Sequence, residues 1–432
     1  MSKRYKLGLT RNRLFEFENC VIFAGKYDSH VDGENGEKAL KMLSLKEPLI
    51  TSKIELEENG EAFVVTDSVV PTITLCKETL DEIIAGYNNT GLCFWEKLFE
   101  FSLSADGYFV IVGHTCVADA KALLRLAMYF SGLYNSSGFS VNPSDINLVS
   151  EKTKLPIEVL SPVTDKLSLE LESKWMEKPT AFGVEDYKKA KKVYDDNKDE
   201  KVVLKAELSE DDVIKLQSYA QENNVDASSV VGFAFYEKLC DNTRKKSSVC
   251  KMNVYGDSRF FFENSDEYNV GAFNGVVSAY LRKKDKRKDL GERVKAFHIS
   301  RYKGVTSTFK VLYDDAFMMS LSPSFCDSTY MYAAGCFKNK ASAKLAENYG
   351  CKCEKMCDYF SCNLDQSYWS ELGHFSEVVV REPLKMRSYS YLGFVIKDGK
   401  GYITFSYKKS AYEDKIAENI FENAIALIKG FK

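Results

Sequence analysis

The 432-residue sequence lacks any continuous apolar run of about 18 residues, the length that indicates a membrane-spanning helix. Its first residues, Met1 to Lys6, are charged and lead into a mixed segment, whereas a secretory signal peptide continues into an apolar core. The chain also has no large excess of either charge, because it contains 59 Lys and Arg residues and 62 Asp and Glu residues. The net charge of the chain therefore does not favour binding to nucleic acid or to an anionic membrane. We expect a cytoplasmic protein with no membrane span and no nucleic-acid partner.

Common catalytic signatures are absent as well. The sequence contains no GxSxG nucleophile elbow, no P-loop, no GxGxxG dinucleotide fingerprint and no HExxH zinc motif. It shows no self-similarity at the periods of repeat proteins, no adenylation signature and no serine-bearing carrier domain. Several common enzyme classes therefore gain no support, and any activated substrate must come from another molecule.

Hydrophobic residues make up 45% of the chain and aromatic residues 13%, which is enough for packed interiors, and the length fits two domains. Strand-like runs such as 62–66 and 108–112 alternate with helical segments. The sequence therefore predicts an α/β (α+β) fold. We place an N-terminal lobe at 1–171, a lysine-rich linker or solvated crossover helix at 172–201, and a C-terminal lobe at 202–432.

Local signals in the second half mark where helices and turns occur. Ser209 precedes three acidic residues, which predicts a helix N-terminus because the capping hydroxyl and the acidic first turn suit the helix dipole. Asp226 or Ser228 is predicted to cap the next helix. Asp398 and Gly399 separate two apolar runs and predict a hairpin turn, because both residues readily adopt positive φ. A final amphipathic helix is expected from about 412 to 428.

The chain contains twelve cysteines, which in a large sequence without a signal peptide are expected to stay reduced. Four of them are dense enough to suggest a tetrahedral zinc site: Cys351, Cys353, Cys357 and Cys362. Their spacing is not that of two CxxC knuckles, and cysteine is often buried as a small hydrophobe. We favour structural thiols over a metal site and predict no bound metal.

The most informative segment begins with the apolar run 108–112 and continues through His114, Thr115 and Asp119 to Ala120. A strand-like run that ends in His and Thr, with an Asp four residues later and a helical pattern after it, resembles the HHxxxDG motif of the condensation-domain and CoA-dependent acyltransferase superfamily. Other segments resemble landmarks of the same superfamily in the same order: 38–50, 208–225, 253–259, 270–277 and 358–364. The resemblance spans nearly the whole chain.

The resemblance implies two chloramphenicol-acetyltransferase-like lobes arranged in a V, with the motif at their interface and a tunnel open at both ends. It also implies that Asp119 points away from the substrate and pairs with Arg259. Asn274, Ser361 and Asn363 fall where the superfamily lines its tunnel or its oxyanion environment. Hydrogen bonding at strand ends is the alternative for each of these three residues.

The motif departs from the superfamily at two positions. Thr115 stands where the second His acts as the general base, and Ala120 replaces the Gly after the Asp. Threonine does not titrate near neutral pH and cannot take a proton from an alcohol or amine. Because side chains alternate along a strand, His114 and Thr115 should face opposite ways, so His114 would enter the tunnel only through a bulge or an early strand end. Otherwise His114 is a hydrogen-bonded residue that supports the loop.

The resemblance implies a free-standing condensation-type acyltransferase that moves an acyl group from a thioester to an amine or alcohol. The donor would be acyl-CoA or the phosphopantetheine thioester of an acyl or peptidyl carrier protein, with no bound cofactor, and the acceptor would be a small molecule. The catalytic candidates are His114, Thr115 and Asp119. The alternative is a catalytically degenerate protein of the same fold that serves as a binding or scaffold partner, because function belongs to the site and not to the fold.

Overall fold

The computed structural model describes residues 2–27, 31–135, 143, 146, 154–156, 159, 162–242, 250–262, 265, 269–349, 357–384 and 388–431. Within these residues the chain forms three sheets and a set of surrounding helices. The helices are α1 Gly33–Lys46, α2 Leu80–Thr90, α3 Ala120–Asn135, α4 Pro162–Met176, α5 Val184–Asn197, α6 Glu210–Glu222, α7 Ala227–Asn242, α8 Leu290–Val305, α9 Thr308–Met319, α10 Pro323–Ala333, α11 Lys340–Tyr349 and α12 Asp414–Gly430.

The strands fall into two large sheets and one small one. They are β1 Arg4–Lys6, β2 Cys20–Tyr27, β3 Lys53–Leu56, β4 Ala62–Val65, β5 Ile73–Leu75, β6 Phe99–Leu103, β7 Tyr108–His114, β8 Lys201–Leu208, β9 Met252–Asp257, β10 Asn274–Ala279, β11 Cys357–Asn363, β12 Phe375–Arg381, β13 Ser390–Lys397 and β14 Lys400–Lys408. The five-stranded sheet has the order β12-β2-β7-β6-β5, the six-stranded sheet β10-β9-β11-β13-β14-β8, and the small sheet β1-β4-β3. We call the five-stranded sheet and its helices the first lobe, and the six-stranded sheet and its helices the second lobe. The predicted mixed α/β class is confirmed.

Both large sheets are mixed. In the first lobe β5 runs parallel to β6 and the other neighbours are antiparallel. In the second lobe β11 runs parallel to both β9 and β13. Parallel neighbours need crossover connections, and α8 to α11 lie in the long connection between β10 and β11.

Several local predictions from the sequence are confirmed. The side chain of Ser209 accepts a hydrogen bond from the backbone N–H of Asp212 and so caps α6. Asp226 accepts a hydrogen bond from the backbone N–H of Ser229 in the first turn of α7. Asp398 and Gly399 adopt φ values of 51° and 72° in the turn between β13 and β14, as a tight hairpin between right-twisted strands requires. These elements form where short-range signals in the sequence agree with the tertiary structure.

The segment predicted as a linker or solvated helix contains the last turn of α4 and all of α5. Helix α5 is largely polar, but it buries Tyr187 and Ala190 in the core of the first lobe. Trp175 near the end of α4 is also fully buried in that core. The segment therefore packs as part of the structure rather than crossing solvent.

Strand β12 links the two halves of the chain. It lies within the predicted stretch 202–432, yet it pairs with β2 and forms one edge of the first lobe's sheet. The domain boundaries 1–171, 172–201 and 202–432 stay a prediction, but the lobes themselves are not continuous in sequence. The residues that follow β12 are thereby carried to the junction of the lobes.

The cysteine prediction was wrong for one pair. Cys240 and Cys250 form a disulfide, because the end of α7 and the approach to β9 bring their Cα atoms within 5.7 Å. Of the dense cysteine set, Cys351 and Cys353 lie outside the described residues, whereas Cys357 and Cys362 are unpaired thiols on β11. In the part of the chain that the structure describes, no group of His, Cys, Asp and Glu has the arrangement of a metal site.

No helix among the described residues is long and apolar enough to cross a membrane. The cytoplasmic location stays a prediction.

Candidate active site

The Asp of the motif ties the start of α3 to the second lobe. Asp119 Oδ1 accepts a hydrogen bond of 2.7 Å from the backbone N–H of Ala122, as a helix cap does. Its two carboxylate oxygens also accept hydrogen bonds of 3.0 and 2.9 Å from the Arg259 guanidinium, and the backbone N–H of Phe273 donates to Oδ2 at 2.8 Å. The predicted pair is therefore present as a buried, bidentate ion pair between the lobes.

Arg259 has a full set of acceptors besides Asp119. Its guanidinium donates to Asp257 Oδ1 at 3.0 Å and to the backbone carbonyls of Asn269 and Gly271. Burial alone would lower the pKa of Arg259, but the charges of Asp119 and Asp257 outweigh it and raise this pKa. Arg259 is thus fixed in its charged form, and its pair with Asp119 serves the structure.

His114, the last residue of β7, lies in the interior of the protein. Its side chain is fully buried, and its Nδ1 accepts a hydrogen bond of 3.2 Å from the backbone N–H of Cys116. Nε2 has no hydrogen-bond partner among the described residues. Burial lowers the pKa of His114 to about 3, so the imidazole is neutral at physiological pH. Strand alternation puts His114 on the same face as Val110 and Val112, and its contact with the loop matches the supporting role considered above.

Thr115 is also enclosed. Its backbone N–H donates to the carbonyl of Asn19 at 2.9 Å, and only 2% of the residue is exposed. Its hydroxyl has no hydrogen-bond partner among the described residues. A threonine hydroxyl cannot serve as a base in such a place. The two motif positions therefore supply no accessible proton acceptor.

A cavity of about 260 Å³ lies between the lobes, beside the start of α3. The first lobe contributes Asp119, Ala120 and Lys121, and the segment after β12 contributes Glu382. The second lobe contributes residues of β9 to β11 and of α8: Tyr255, Gly256, Asp257, Asn274, Phe360, Ser361, Arg301 and Val305, with Arg259 and Phe260 between β9 and β10. Neither His114 nor Thr115 is among its lining residues.

Asn274 is held at the cavity wall by a polar network that crosses the lobes. Arg13 donates to Asn274 Oδ1 at 2.6 Å and to its backbone carbonyl at 3.0 Å. The same guanidinium binds the Asp315 carboxylate at 3.0 and 2.8 Å. Asn274 Nδ2 in turn donates to Glu382 Oε1 at 3.4 Å. Because Arg13 can only donate, the amide oxygen must face it, and the amide N–H groups face Glu382 and the cavity.

The other two predicted lining residues, Ser361 and Asn363, differ in whether they line the cavity. Ser361 lies on the cavity wall. Asn363 is not among the lining residues, and its Oδ1 accepts a hydrogen bond of 2.9 Å from the backbone N–H of Asp365, which is the alternative given for it above. Sequence reasoning missed Glu382 and Arg13. No motif marks either residue, and their contacts join positions that are 108 and 261 residues apart in the chain.

Most charged groups on the cavity wall are paired with an opposite charge. Lys121 Nζ lies 2.9 Å from Asp257 Oδ2. Arg301 Nη1 lies 2.7 Å from Asp226 Oδ2 at the start of α7. Burial would raise the pKa of Asp226, but a hydrogen bond from His298 and the charge of Arg301 lower this pKa to about 2. The paired charges leave a polar cavity that is suited to neutral or amphipathic groups.

Comparison with known proteins identifies the fold. No protein-family model matches the chain, and no curated protein matches it. Solved structures do match over nearly their whole length. The condensation domain of the monacolin K polyketide synthase MokA has a TM-score of 0.62 and 12% identity, and the match covers 99% of this chain and 97% of that one.

Two further structures match equally well. The TRI3 trichothecene 15-O-acetyltransferase from Fusarium sporotrichioides has a TM-score of 0.62 at 12% identity, with 99% of this chain and 96% of that chain covered. The polyketide synthase associated protein 5 from Mycobacterium tuberculosis has a TM-score of 0.60 at 11% identity, with 98% and 96% covered. At such low identity the likeness establishes the fold and not the activity. The protein has the chloramphenicol-acetyltransferase-like fold of condensation domains and CoA-dependent acyltransferases.

Proposed function

We propose that the protein is a free-standing acyltransferase that moves an acyl group from a CoA or carrier-protein thioester to an amine or alcohol. The observation that carries this proposal is the cavity between the lobes, whose wall joins Asn274, Ser361 and Glu382 beside the start of α3. These groups supply hydrogen-bond donors and a carboxylate at one point of a fold shared with acetyltransferases and condensation domains. Donors that stabilise an oxyanion and a group that accepts a proton both accelerate acyl transfer.

The proposed chemistry depends on positioned donors. When a nucleophile attacks a thioester, negative charge develops on the carbonyl oxygen, and donors fixed in advance stabilise that charge. Asn274 is such a donor, because Arg13 and Asp315 hold its amide in one orientation. Ser361 lies on the same wall, and its hydroxyl would be a second donor. Holding both substrates in reactive geometry supplies a further large part of the acceleration.

The donor would be a pantetheine thioester, either as acyl-CoA or on an acyl or peptidyl carrier protein. A pantetheine arm is uncharged and rich in amides, which suits a polar cavity whose charges are mostly paired. A carrier protein as the partner is consistent with the similar structures, which include a condensation domain of a polyketide synthase and a polyketide synthase associated protein.

The direct test is release of free thiol. Acetyl-, octanoyl- and palmitoyl-CoA, and the corresponding pantetheine thioesters, are incubated with the protein and a panel of primary amines and alcohols. Thiol release is followed optically, and the acylated acceptor is identified by mass spectrometry. The proposal expects acceptor-dependent release above the uncatalysed rate. No release with any donor and acceptor would contradict it.

Burial of His114 and Thr115 favours a second candidate, a binding or scaffold protein that keeps the fold without the chemistry. Both motif side chains are enclosed, and neither lines the cavity. Such a protein would bind CoA or pantetheine in a calorimetric titration but would release no thiol. Binding without turnover would therefore favour the second candidate over the first.

A further inference from the structure

We propose that Arg381 forms a second binding site, which holds a carboxylate or phosphate group of a ligand at the junction of the two lobes. Arg381 is the last residue of β12 and is only 9% exposed. It is not among the residues that line the cavity beside the start of α3. The inference concerns binding alone, so it goes beyond the proposed acyl transfer and does not depend on it.

The guanidinium of Arg381 has no acceptor in the part of the chain that the structure describes. Its Nε is closed off from solvent without a hydrogen-bond partner, and no described carboxylate lies within ion-pair distance of its terminal nitrogens. Arg11, Arg13 and Arg259 are buried to a similar degree, but each of them is paired with a buried carboxylate. Arginine keeps its charge in proteins and offers five N–H donors. Arg381 is therefore a buried cation whose donors the described residues do not use.

Two carboxylates act on the charge of Arg381 from a distance, and both are bound to other groups. Glu18 forms a buried ion pair with Lys201. Asp81 is exposed and lies 3.0 Å from Lys205 Nζ. Neither carboxylate donates its oxygens to the guanidinium, so neither supplies the direct partner that a buried charge requires.

The balance of these effects is unfavourable to the charge of Arg381. Burial lowers the pKa of Arg381, and the opposing effects of Tyr391, Asp81 and Glu18 do not restore it to its ordinary value. A buried cation without sufficient compensation costs free energy in the folded protein. A bound anion would remove that cost.

Strand pairing determines where the side chain of Arg381 emerges. Arg381 lies opposite Ile22 of β2, and residues opposite each other in paired strands share one face of the sheet. Ile22 belongs to the same apolar cluster as Leu80 and Ile83 of α2. Tyr391 of β13 in the second lobe is close enough to act on the charge of Arg381. The anionic group would therefore bind between the α2 face of the first lobe and β13 of the second.

The chemistry of the guanidinium defines the class of ligand. Its N–H groups form a rigid, planar fork that matches two oxygens of a carboxylate or a phosphate. Such charge-assisted hydrogen bonds are roughly twice as strong as bonds between neutral groups. A neutral ligand would leave the buried charge uncompensated. Because so little of Arg381 is exposed, the anionic group must be the end of a slim molecule and not part of a flat macromolecular surface.

The test compares Arg381→Gln with wild type in calorimetric titrations at constant ionic strength. The probes are sodium acetate, sodium octanoate, inorganic phosphate, CoA and pantetheine. We expect wild type to bind at least one anionic probe, and Arg381→Gln to bind it about 10–100-fold more weakly because charged hydrogen bonds are lost. Arg381→Lys keeps the charge without the fork and should have an intermediate affinity.

The probes distinguish the two sources of the anionic group. Affinity for acetate or octanoate that Arg381→Gln loses assigns the site to a carboxylate. Affinity for phosphate and CoA that Arg381→Gln loses, with unchanged affinity for pantetheine, assigns the site to a phosphate. Loss of both kinds of affinity supports the shared chemistry of the two groups.

Melting temperature shows whether Arg381 serves the fold instead. Without a probe, Arg381→Gln should melt at the same temperature as wild type or higher, because the substitution removes a buried charge that the described residues do not pair. The bound probe should raise the melting temperature of wild type and not that of Arg381→Gln. A variant that is less stable than wild type with and without the probe, and that binds the probe equally well, would show a structural role and overturn the inference.

Arg4→Gln is the matched control. The Arg4 side chain is 43% exposed and lies 2.9 Å from Glu57, so its loss should leave probe binding unchanged. If wild type binds none of the anionic probes, or if Arg381→Gln binds them as tightly as wild type does, the inference is overturned. Thiol release plays no part in these titrations, so failure of the proposed acyl transfer and failure of the anion site are separate results.

Discussion

At the scale of single residues, the motif contains two kinds of residue. Asp119 stabilises the fold, whereas His114 and Thr115 do not line the cavity. Asp119 and Arg259 are held as a buried pair, and each has further hydrogen bonds. His114 and Thr115 each keep one polar atom without a hydrogen-bond partner among the described residues. An unpaired buried polar atom costs free energy, so these two positions are not optimised for stability.

The Asp119–Arg259 pair should make Asp119→Ala strongly destabilising. The substitution leaves the Arg259 charge buried without its bidentate partner and removes a cap from α3, which together should lower the free energy of unfolding by about 3–5 kcal/mol. Urea unfolding measures the change. The exposed Asp196→Ala is the matched control and should change stability by less than about 0.5 kcal/mol. An Asp119→Ala protein that unfolds like wild type would contradict the structural role.

The buried neutral His114 makes stability depend on pH. Its pKa is lowered from 6.5 to about 3 in the folded protein, so the unfolded chain binds a proton first as pH falls. The stability contribution is complete above pH 6.5 and is lost progressively as pH falls toward 3. Between pH 7 and pH 5 wild type should lose about 2 kcal/mol more than His114→Phe.

Urea unfolding of both proteins at the two pH values measures this difference. Carboxylates that titrate in the same window are common to both proteins and cancel in the comparison. Equal losses in wild type and His114→Phe would show that His114 is not held neutral.

At the scale of elements, sequence patterns predicted what local interactions determine. The cap of α6, the cap of α7 and the turn at Asp398 and Gly399 all depend on residues a few positions apart. The pairing of β12 with β2 and the position of Glu382 at the start of α3 depend on contacts between distant segments. No local pattern records such contacts, so the sequence predicted the start of the motif helix but not the carboxylate beside it.

The sequence likewise predicted only part of the candidate site. The motif and Asn274 and Ser361 were identified because they match an ordered set of landmarks, and the structure brings Asp119, Asn274 and Ser361 to one cavity. Asn363 turns to its own loop. The disulfide at Cys240 was missed because the sequence gives no distance between two cysteines.

The loop between β7 and α3 is packed so tightly that replacing Thr115 with histidine should not restore a catalytic base. Thr115 is 2% exposed, and histidine is larger, so Thr115→His should destabilise the protein by about 1–3 kcal/mol through overpacking. It should not raise thiol release, because the new imidazole would have no access to the cavity. Thr115→Val, which keeps the volume and removes the unpaired hydroxyl, is the control and should be as stable as wild type or more so. A faster Thr115→His enzyme would contradict this account of the loop.

At the scale of the whole molecule, the N-terminal segment is bound to helices that lie far along the chain. A short 3-10 helix, Arg11–Arg13, carries two buried arginines. Arg11 binds Asp327 on α10 at 2.7 Å, and Arg13 binds Asp315 on α9 at 2.8 Å. These ion pairs lie between the first residues of the chain and helices far along it. They fix the relative position of the groups that form the cavity wall.

The Arg13–Asp315 pair can be tested with a double-mutant cycle. Arg13→Met leaves the Asp315 carboxylate buried without its cation and should cost about 3–5 kcal/mol of unfolding free energy, and Asp315→Leu should cost a similar amount. The double variant should be less destabilised than the sum, because neither charge remains unpaired. Additive losses measured by urea unfolding would show that the two residues do not interact.

The central claim is that acyl transfer takes place in the cavity beside Glu382 and away from the motif residues. The most direct test is a crystal structure with acetonyl-CoA, an unreactive thioether analogue of acetyl-CoA. We predict that its carbonyl group lies in this cavity, with the oxygen near Asn274. An analogue bound beside His114 or Thr115, or elsewhere on the protein, would contradict the account.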